Sequence, residues 1–265
     1  MTQVQSIVHL SSRALIALSG ADWRDFLQGL ITQDVETLAA GEIRFAGLLT
    51  PQGRLLFDLF VIGREDGCWL DVVAEHRAAL IQRLTMYRLR AKVTIEADET
   101  PVFAAWGEVE GTNWLPDPRL RELGMRGYRR GSAIEATEAN YDAHRLALGI
   151  PGSADWATDK TYPIEANFDL LNGIDFQKGC FVGQETTSRM KRRGVIKTRM
   201  LPITFDGTPP NSGTEILAGD LRAGEILSVG EDRAMASLRL DRISGALTAD
   251  GLTVRVERPD WMALV

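Results

Sequence analysis

Apolar residues in the first 110 positions follow two spacings, one typical of strands and one typical of helices. Continuous apolar runs over 43–50 and 54–62 are separated by the turn sequence Pro51-Gln52-Gly53 and predict a β-hairpin. Segments 20–35 and 75–90 instead place apolar residues three and four positions apart, which predicts amphipathic helices. Shorter apolar runs over 12–18, 68–74, 92–96 and 102–109 predict further strands. This order predicts an α+β arrangement with a largely antiparallel sheet.

The pattern changes twice in the rest of the chain. Residues 111–133 are rich in Gly, Pro and Arg without clear periodicity, whereas 139–149 predicts a helix that ends at Gly149. From residue 199 onward, short apolar runs alternate with Gly, Pro and Asp turns, which is typical of a small all-β barrel or sandwich. We therefore predict two regions, 1–198 and 199–265, of which the second is a β-barrel.

Composition narrows the class of protein. The 265 residues are 45% hydrophobic and 25% charged, which is ordinary for a globular chain, and the net charge of -6 argues against nucleic acid bound over the whole surface. The two cysteines and three histidines form no CxxC, HxxxH or HxH pair, so no metal site within this chain is predicted. No apolar run approaches the ~18 residues of a membrane span. Neither a signal peptide nor a disulfide framework is recognisable, and a cytoplasmic protein without membrane contact is expected.

Most of the basic residues are arginine. There are 25 arginines and five lysines, an excess that we attribute to the base composition of the genome. Three of the lysines, Lys178, Lys191 and Lys197, nevertheless fall within 20 residues, and no acidic residue occurs between 187 and 204. Six basic residues between Arg189 and Arg199 therefore create a local positive field. Such a field attracts an anion, or it is simply a solvated basic face.

Four other residues are candidates for chemistry. Asp58 interrupts the apolar run 54–62, which indicates either a carboxylate facing a ligand or an exposed face of the hairpin. Glu165 and Asn167 precede the basic segment and either bind a ligand amide or cap a turn. Cys180 lies near Lys178 and before a predicted helix, which favours its thiolate, although most free cysteines are small buried hydrophobes.

The octapeptide KGCFVGQE at 178–185 resembles the K-G-C-[FY]-x-G-Q-E signature of the YgfZ-type folate-binding proteins, which are relatives of the glycine-cleavage T-protein. The resemblance extends over essentially the whole chain, and it is closest to the branch linked to iron–sulfur cluster assembly. The collinear segments are LSGADWRDFLQGLITQDV, LLTPQGRLLFDLF, LTMYRLRAKV, RLALGIP, TYPIEANFDLLNGIDFQKGCFVGQETTSRMKRRG, GEILSVG and ASLRLDR.

The resemblance implies a glycine-cleavage T-protein-like α+β fold, with two α+β domains around a central funnel and a small C-terminal β-barrel. It implies tetrahydrofolate in that funnel, with Asp58 near the reacting end of the folate and Glu165 near its pterin. The Arg189–Arg199 stretch is then expected to attract the glutamate tail. On this basis the expected catalytic residues are Cys180 and Asp58, and the expected folate-binding residues are Asp58, Glu165, Asn167, Lys178, Glu185 and Arg189.

The leading hypothesis for function is a tetrahydrofolate-binding accessory protein for assembly or repair of iron–sulfur enzymes, which uses Cys180 as a redox thiol or transient ligand. The expected partners are iron–sulfur client or assembly proteins, and the resemblance implies no glycine-cleavage activity. A folate-dependent aminomethyl transferase is the first alternative. A tRNA-binding protein linked to tRNA modification is the second, and the net charge and the lack of aromatics among the basic residues argue against it.

Overall fold

A computed structural model of the chain describes residues 5–109, 111–129, 135–194 and 196–262. The strands are β1 (Ser6–His9), β2 (Arg13–Ser19), β3 (Ile43–Leu49), β4 (Leu55–Arg64), β5 (Gly67–Val73), β6 (Thr94–Asp98), β7 (Val102–Trp106), β8 (Trp114–Pro116), β9 (Met125–Tyr128), β10 (Thr198–Phe205), β11 (Glu215–Ala218), β12 (Leu221–Val229), β13 (Arg233–Arg239), β14 (Leu247–Ala249) and β15 (Leu252–Val256). The helices are α1 (Trp23–Gln28), α2 (Arg77–Arg88), α3 (Glu138–Ala147) and α4 (Gln184–Arg193).

The strands form three antiparallel sheets. A five-stranded sheet has the order β3-β4-β5-β2-β6, and a four-stranded sheet has the order β1-β7-β9-β8. The six strands from β10 to β15 close into a barrel in the order β10-β13-β12-β11-β14-β15. Closure leaves this small sheet without free edges.

The predicted hairpin is confirmed as β3 and β4. Its turn closes through hydrogen bonds from the Gly53 amide to the Thr50 carbonyl (2.8 Å) and from the Thr50 amide to the Arg54 carbonyl (2.8 Å). Gly53 has φ +83°, a left-handed conformation that glycine adopts without steric cost. The other predicted strands and helices of the first 110 residues are present, although the strand predicted over 102–109 ends at Trp106 and β1 was not predicted. The largest difference concerns the first helix.

The helix predicted over 20–35 ends much earlier, because α1 has only six residues. Side chains of the last helical residue and of the loop that follows accept from backbone amides in this region. The Gln28 side chain accepts from the Val35 amide (2.8 Å), and the Thr32 hydroxyl accepts from the Gly47 amide of β3 (2.7 Å). The apolar spacing past Gly29 therefore marks buried loop positions and not a continued helix.

The connection predicted to be irregular, 111–133, contains β8 and β9 within its described part. Both strands are short, three and four residues, so periodicity has little length over which to show. They complete the four-stranded sheet and carry side chains of the candidate site.

Two apolar clusters cover opposite faces of the five-stranded sheet. One face packs against α1 and α2 through residues such as Leu27, Leu80 and Leu84. The other face contributes Phe45 and Phe60 to a cluster shared with the 164–181 loop and with Met235 of the barrel. This second cluster holds the barrel against the rest of the chain, and the candidate site lies beside it.

A buried arginine ties the start of the barrel to that loop. Arg199 on β10 is 1% exposed and donates to the Asp169 carboxylate through two nitrogens, both at 3.0 Å. It also donates to the Ile164 carbonyl (2.9 Å) and the Asn167 side chain (3.0 Å).

Replacing Arg199 with Met should lower the free energy of unfolding by about 3–5 kcal/mol, because it leaves the buried Asp169 carboxylate without its main partner. Urea denaturation of the full chain measures this loss. Arg255→Met is the matched control, since Arg255 forms the same fork with Asp206 at a site where both side chains are 59% exposed. Equal losses in both variants would contradict the assigned role of Arg199.

Candidate functional site

A cavity of about 340 Å³ lies where the three sheets meet. Asp58 and Phe60 on β4 form its deep wall, Arg126 on β9 forms a second side, and Ser228 and Val229 on β12 bring in the barrel. The lining residues are Leu10, Ser12, Arg13, Asp58, Phe60, Val73, Arg119, Arg126, Glu138, Tyr141, Asp142, Arg145, Leu146, Gly152, Ser153, Ala154, Ser228 and Val229.

The deep wall rests on one fully buried carboxylate. Asp71 on β5 accepts from Arg13 Nε at 2.7 Å and from Arg126 Nη1 at 2.5 Å, and its side chain is 0% exposed. The Tyr128 hydroxyl adds a third bond at 3.0 Å. Because Arg13 lies on β2 and Arg126 and Tyr128 lie on β9, Asp71 joins the five-stranded sheet to the four-stranded sheet.

Three guanidinium groups surround the ring of Phe60. The Cζ atoms of Arg126, Arg119 and Arg13 lie 3.7, 4.9 and 5.4 Å from the ring centroid. Asp117 pairs with both Arg119 (2.8 Å) and Arg126 (3.3 Å). Arginine packs well on aromatic faces because its cation is planar and weakly hydrated. The wall is therefore both aromatic and densely charged.

Buried ion pairing sets the protonation of this wall. Burial alone would raise the pKa of Asp71, but the charges of Arg13 and Arg126 hold it below its ordinary value. Burial would likewise lower the pKa of Arg126, and Asp71 raises it well above its ordinary value. Burial and then Asp71 raise the pKa of Tyr128, so its hydroxyl stays a donor. The wall keeps fixed charges at neutral pH.

Several polar atoms of the wall have no partner among the described residues. Asp58 binds Arg13 Nη1 through Oδ2 at 2.8 Å, and its Oδ1 accepts no hydrogen bond within that part of the chain. Arg119 Nη1 and Arg126 Nη2 likewise donate none there, although both side chains line the cavity. The cavity thus offers one carboxylate acceptor and two guanidinium donors to a ligand.

Ser228 reaches the cavity through a β-bulge. The pairing of β12 with β13 shifts register between Ile226 and Ser228. Ile226 is buried in the barrel core, and in a regular strand Ser228 would share that face. The extra residue, Leu227, instead turns Ser228 to the cavity. Its Oγ is buried and has no hydrogen-bond partner among the residues described.

Of the predicted site residues, Asp58 is the one that lines this cavity. The half-buried Glu165 caps a local turn, since its Oε2 accepts from the Tyr162 amide at 2.9 Å. Burial raises the pKa of Glu165, against smaller lowering effects of that amide and of Arg54. Asn167 is 0% exposed, donates to the Met200 carbonyl (2.8 Å) and accepts from Arg199. The structure gives Asn167 a structural position in place of the predicted ligand contact, because both of its polar atoms are engaged.

The predicted Lys178 also has a structural position. Its ammonium donates at 2.8 Å to the carbonyls of Gln28, the last residue of α1, and of Ile31 and Gln33 in the loop that follows. Burial lowers the pKa of Lys178 to about 8, so the group is charged at neutral pH and has one proton for each carbonyl. Lys178 therefore anchors the KGCFVGQE segment to the end of α1.

A glycine anchors the other end of this segment. Gly183 has φ +82°, and a Cβ placed there would lie 2.6 Å from the Thr50 carbonyl oxygen of the hairpin turn. Cys180, between the two anchors, is exposed. It lies away from the cavity lining, and so do Glu185 and Arg189, which are exposed on α4.

The predicted basic stretch, Arg189–Arg199, has fewer charges available to a ligand than its sequence indicates. Arg199 is buried, and Lys191 pairs with Asp169 at 3.5 Å. The side chain of Arg193 lies outside the described part of the chain. The second cysteine, Cys68, is 1% exposed, and burial raises its pKa.

The arginines of the cavity are not among the residues predicted from the sequence. Arg119 and Arg126 lie in the segment judged irregular, and Arg13 and Arg145 belong to a predicted strand and a predicted helix. The available signal was the excess of arginine over lysine, because arginine is preferred in buried ion pairs. We had attributed that excess to genome composition.

No group of three or more metal-ligating residues occurs among the residues that the structure describes. In that same part of the chain, no helix is long and apolar enough to cross a membrane.

Replacing Asp71 with Asn should lower the free energy of unfolding at pH 7 by about 3 kcal/mol, because two buried guanidinium groups lose their shared carboxylate. The lowered pKa of Asp71 means that its contribution is complete above the ordinary value of 3.8 and is lost as pH falls further. The difference between wild type and variant should therefore shrink below about pH 4.

Urea denaturation between pH 3 and 7 measures this difference. Asp66→Asn, in the exposed β4–β5 turn, removes the same charge as a control. A constant difference over this pH range would contradict the ion pairing assigned to Asp71.

Comparison with known proteins gives a fold and a family. The crystal structure of the glycine cleavage system aminomethyltransferase T from Bartonella henselae matches with a TM-score of 0.79 and covers 97% of this chain and 86% of that chain, at 18% identity. The predicted T-protein-like α+β fold with a C-terminal barrel is confirmed. The family model described as the CAF17 C-terminal beta-barrel domain matches residues 197–264.

Relatives similar in sequence are mitochondrial iron–sulfur cluster assembly factors named IBA57 or IBA57 homolog. The Neurospora crassa protein is 33% identical over 77% of this chain and 55% of its own length. The mouse protein is 30% identical over 95% of this chain and 84% of its own length. The human protein is 28% identical over 97% and 85%. The chain spans little more than half the length of the Neurospora crassa and Phaeosphaeria nodorum relatives.

The expected cytoplasmic location is wrong, because these relatives are named as mitochondrial proteins. The expectation rested partly on the missing disulfide framework, which indicates a reducing compartment and does not say which one. Given the identity and coverage of the mouse protein, the chain belongs to the family of the iron–sulfur cluster assembly factor IBA57.

Proposed function

We propose that this protein is an iron–sulfur cluster assembly factor that binds a reduced folate in the cavity between its three sheets. Membership of the IBA57 family supports the role in assembly. The observation that carries the folate proposal is the set of unpartnered polar atoms around Phe60, namely Asp58 Oδ1, Arg119 Nη1 and Arg126 Nη2. Folate binding is also what the resemblance of the sequence to the YgfZ-type proteins implies.

The polar atoms suit the pterin end of a folate. A pterin presents adjacent donors and acceptors on one edge of a flat ring. A carboxylate accepts from its N–H groups, and guanidinium groups donate to its carbonyl and ring nitrogens. Apolar lining from Phe60, Leu10 and Leu146 suits the flat faces. The volume of about 340 Å³ lies in the range of small-molecule sites.

A bound reduced folate supplies a carrier for one-carbon units. The chain's own residues bind and orient it. Arg13 donates to Asp58 Oδ2 and fixes the orientation of the carboxylate, so that Oδ1 is left for the ligand. Phe60 is held in place by the surrounding guanidinium groups.

Cys180 is proposed to act at a different surface. It is exposed in a segment held at both ends, by Lys178 and by Gly183. An exposed thiol on an anchored loop is accessible to the cluster, which is the cargo, or to a client protein. The folate cavity and the thiol are therefore two surfaces of one factor.

The second candidate function is a folate-dependent one-carbon transferase. The T-protein-like fold and the position of Asp58 in the cavity favour it. The pairing of Asp58 with Arg13 at 2.8 Å argues against a role as a free base. A tRNA-binding function has no comparable support, because Arg199 is buried and Lys191 is paired.

Tetrahydrofolate should bind the full chain in anaerobic calorimetry, and Asp58→Asn should weaken the binding by about 10- to 100-fold through loss of a charged acceptor. Asp206→Asn removes an equal charge from the exposed surface and should leave the affinity unchanged. Absence of binding to the wild type would remove the folate proposal. Formation of methylenetetrahydrofolate from an aminomethyl-lipoyl donor would favour the transferase instead.

In cells whose own IBA57-family gene is deleted, the wild-type chain should restore the activity of iron–sulfur enzymes, and Cys180→Ser should restore markedly less. The reason is that serine keeps the shape of the loop and removes the thiol. Gln177→Ala, at an exposed neighbour, is the control, and immunoblots confirm equal protein levels. Full restoration by Cys180→Ser would refute the role of the thiol.

A further inference from the structure

The charged side chains of the cavity are segregated by depth. In the deep wall, Arg13, Arg119 and Arg126 are matched by Asp58, Asp71 and Asp117. This wall is electrically balanced. The mouth of the cavity has a different ratio of acidic to basic side chains. This ratio determines what charge the protruding part of a ligand can carry.

At the mouth, acidic groups outnumber basic ones among the described residues. Glu138 and Asp142 of α3 line it, and Asp155 lies behind it with a side chain that is 0% exposed. Arg145 pairs with two of these three carboxylates, Asp142 at 3.1 Å and Asp155 at 2.8 Å.

From this imbalance we infer that the mouth limits the charge of the folate tail, and that the site takes a monoglutamyl folate in preference to polyglutamyl forms. This inference rests on the proposed folate function. The specificity-determining residues are Glu138 and Asp142, which lie on successive turns of one helix.

Glu138 is held as an anion in this position. Its Oε1 accepts from the Ser11 hydroxyl at 2.5 Å and from the Ser12 amide at 3.1 Å. Burial would raise the pKa of Glu138, and these hydrogen bonds hold it below its ordinary value. The carboxylate therefore stays ionised at neutral pH and repels a second anion.

Arg145 has few hydrogen-bond donors left for the glutamate tail of a folate. Its Nε donates to the Asp142 carboxylate, and its Nη1 donates to the Asp155 carboxylate and to the Ile150 carbonyl. Among its nitrogens, Nη2 alone makes no hydrogen bond to the described residues, which leaves one donor nitrogen for the two carboxylates of a monoglutamyl tail. Each added glutamate brings one more carboxylate to the mouth, where Arg145 is the only cation of the described lining outside the deep wall.

The basic stretch expected to bind the tail does not compensate. None of the described residues between Arg189 and Arg199 lines the cavity. Repulsion at the exposed mouth is screened by salt, with a Debye length of about 8 Å at physiological ionic strength. The preference for a short tail should therefore depend on salt concentration.

The test compares tetrahydrofolate monoglutamate with tetrahydrofolate triglutamate on the full chain, by anaerobic calorimetry at low and high NaCl. At low salt the monoglutamate should bind about three- to tenfold more tightly. The ratio should fall toward one at high salt. It should also fall in Glu138→Gln, whose amide oxygen still accepts from Ser11 and Ser12. Glu65→Gln, in the exposed β4–β5 turn, should keep the wild-type ratio.

Tighter binding of the triglutamate to the wild type would overturn the inference and leave the folate proposal intact. An unchanged ratio in Glu138→Gln would also overturn it. Binding of neither ligand would instead remove the folate proposal, and the inference with it. The outcomes therefore separate the two claims.

Discussion

The buried carboxylate of Asp71 is the constraint on which the arrangement of the two α+β sheets depends. It lies in the middle of β5, next to Leu15 of β2 and Phe60 of β4 in the strand pairing. A charge at that depth is tolerated only with full compensation. The compensation comes from Arg13 in its own sheet and from Arg126 in the other sheet. The requirement to neutralise one group therefore fixes the relative position of both sheets.

The same ion pairs create the cavity. A core of similar volume filled with apolar side chains is often as stable as a buried ion pair, or more so. It would also leave no polar wall beside Phe60. The guanidinium groups that satisfy Asp71 and Asp117 have additional donors in fixed directions, and these donors remain for a ligand. The structure thus retains costly buried charges where they also shape a binding surface.

Local signals allowed the hairpin around Pro51-Gln52-Gly53, the helices and the barrel strands to be predicted, because turn residues and periodicity act over a few positions. The interruption of an apolar run by Asp58 left two interpretations open, a carboxylate facing a ligand or an exposed face of the hairpin, and its burial beside the cavity excludes the exposed face. Arg126 could not be assigned in this way, since its partner Asp71 is 55 residues away. Asn167 and Lys178 were assigned to a ligand because a polar loop residue gives no indication of which backbone groups it will meet.

The barrel contributes one wall of the cavity through the bulge at Leu227, so the cavity exists only when all three sheets have come together. A ligand that fills it binds the native chain and has no site on a chain whose barrel is detached. By mass action, a hundredfold excess over the dissociation constant adds about 2.7 kcal/mol to native stability. On the proposed folate function, cellular folate supply and the lifetime of the folded protein are linked, because a chain without its ligand is the one most exposed to proteolysis.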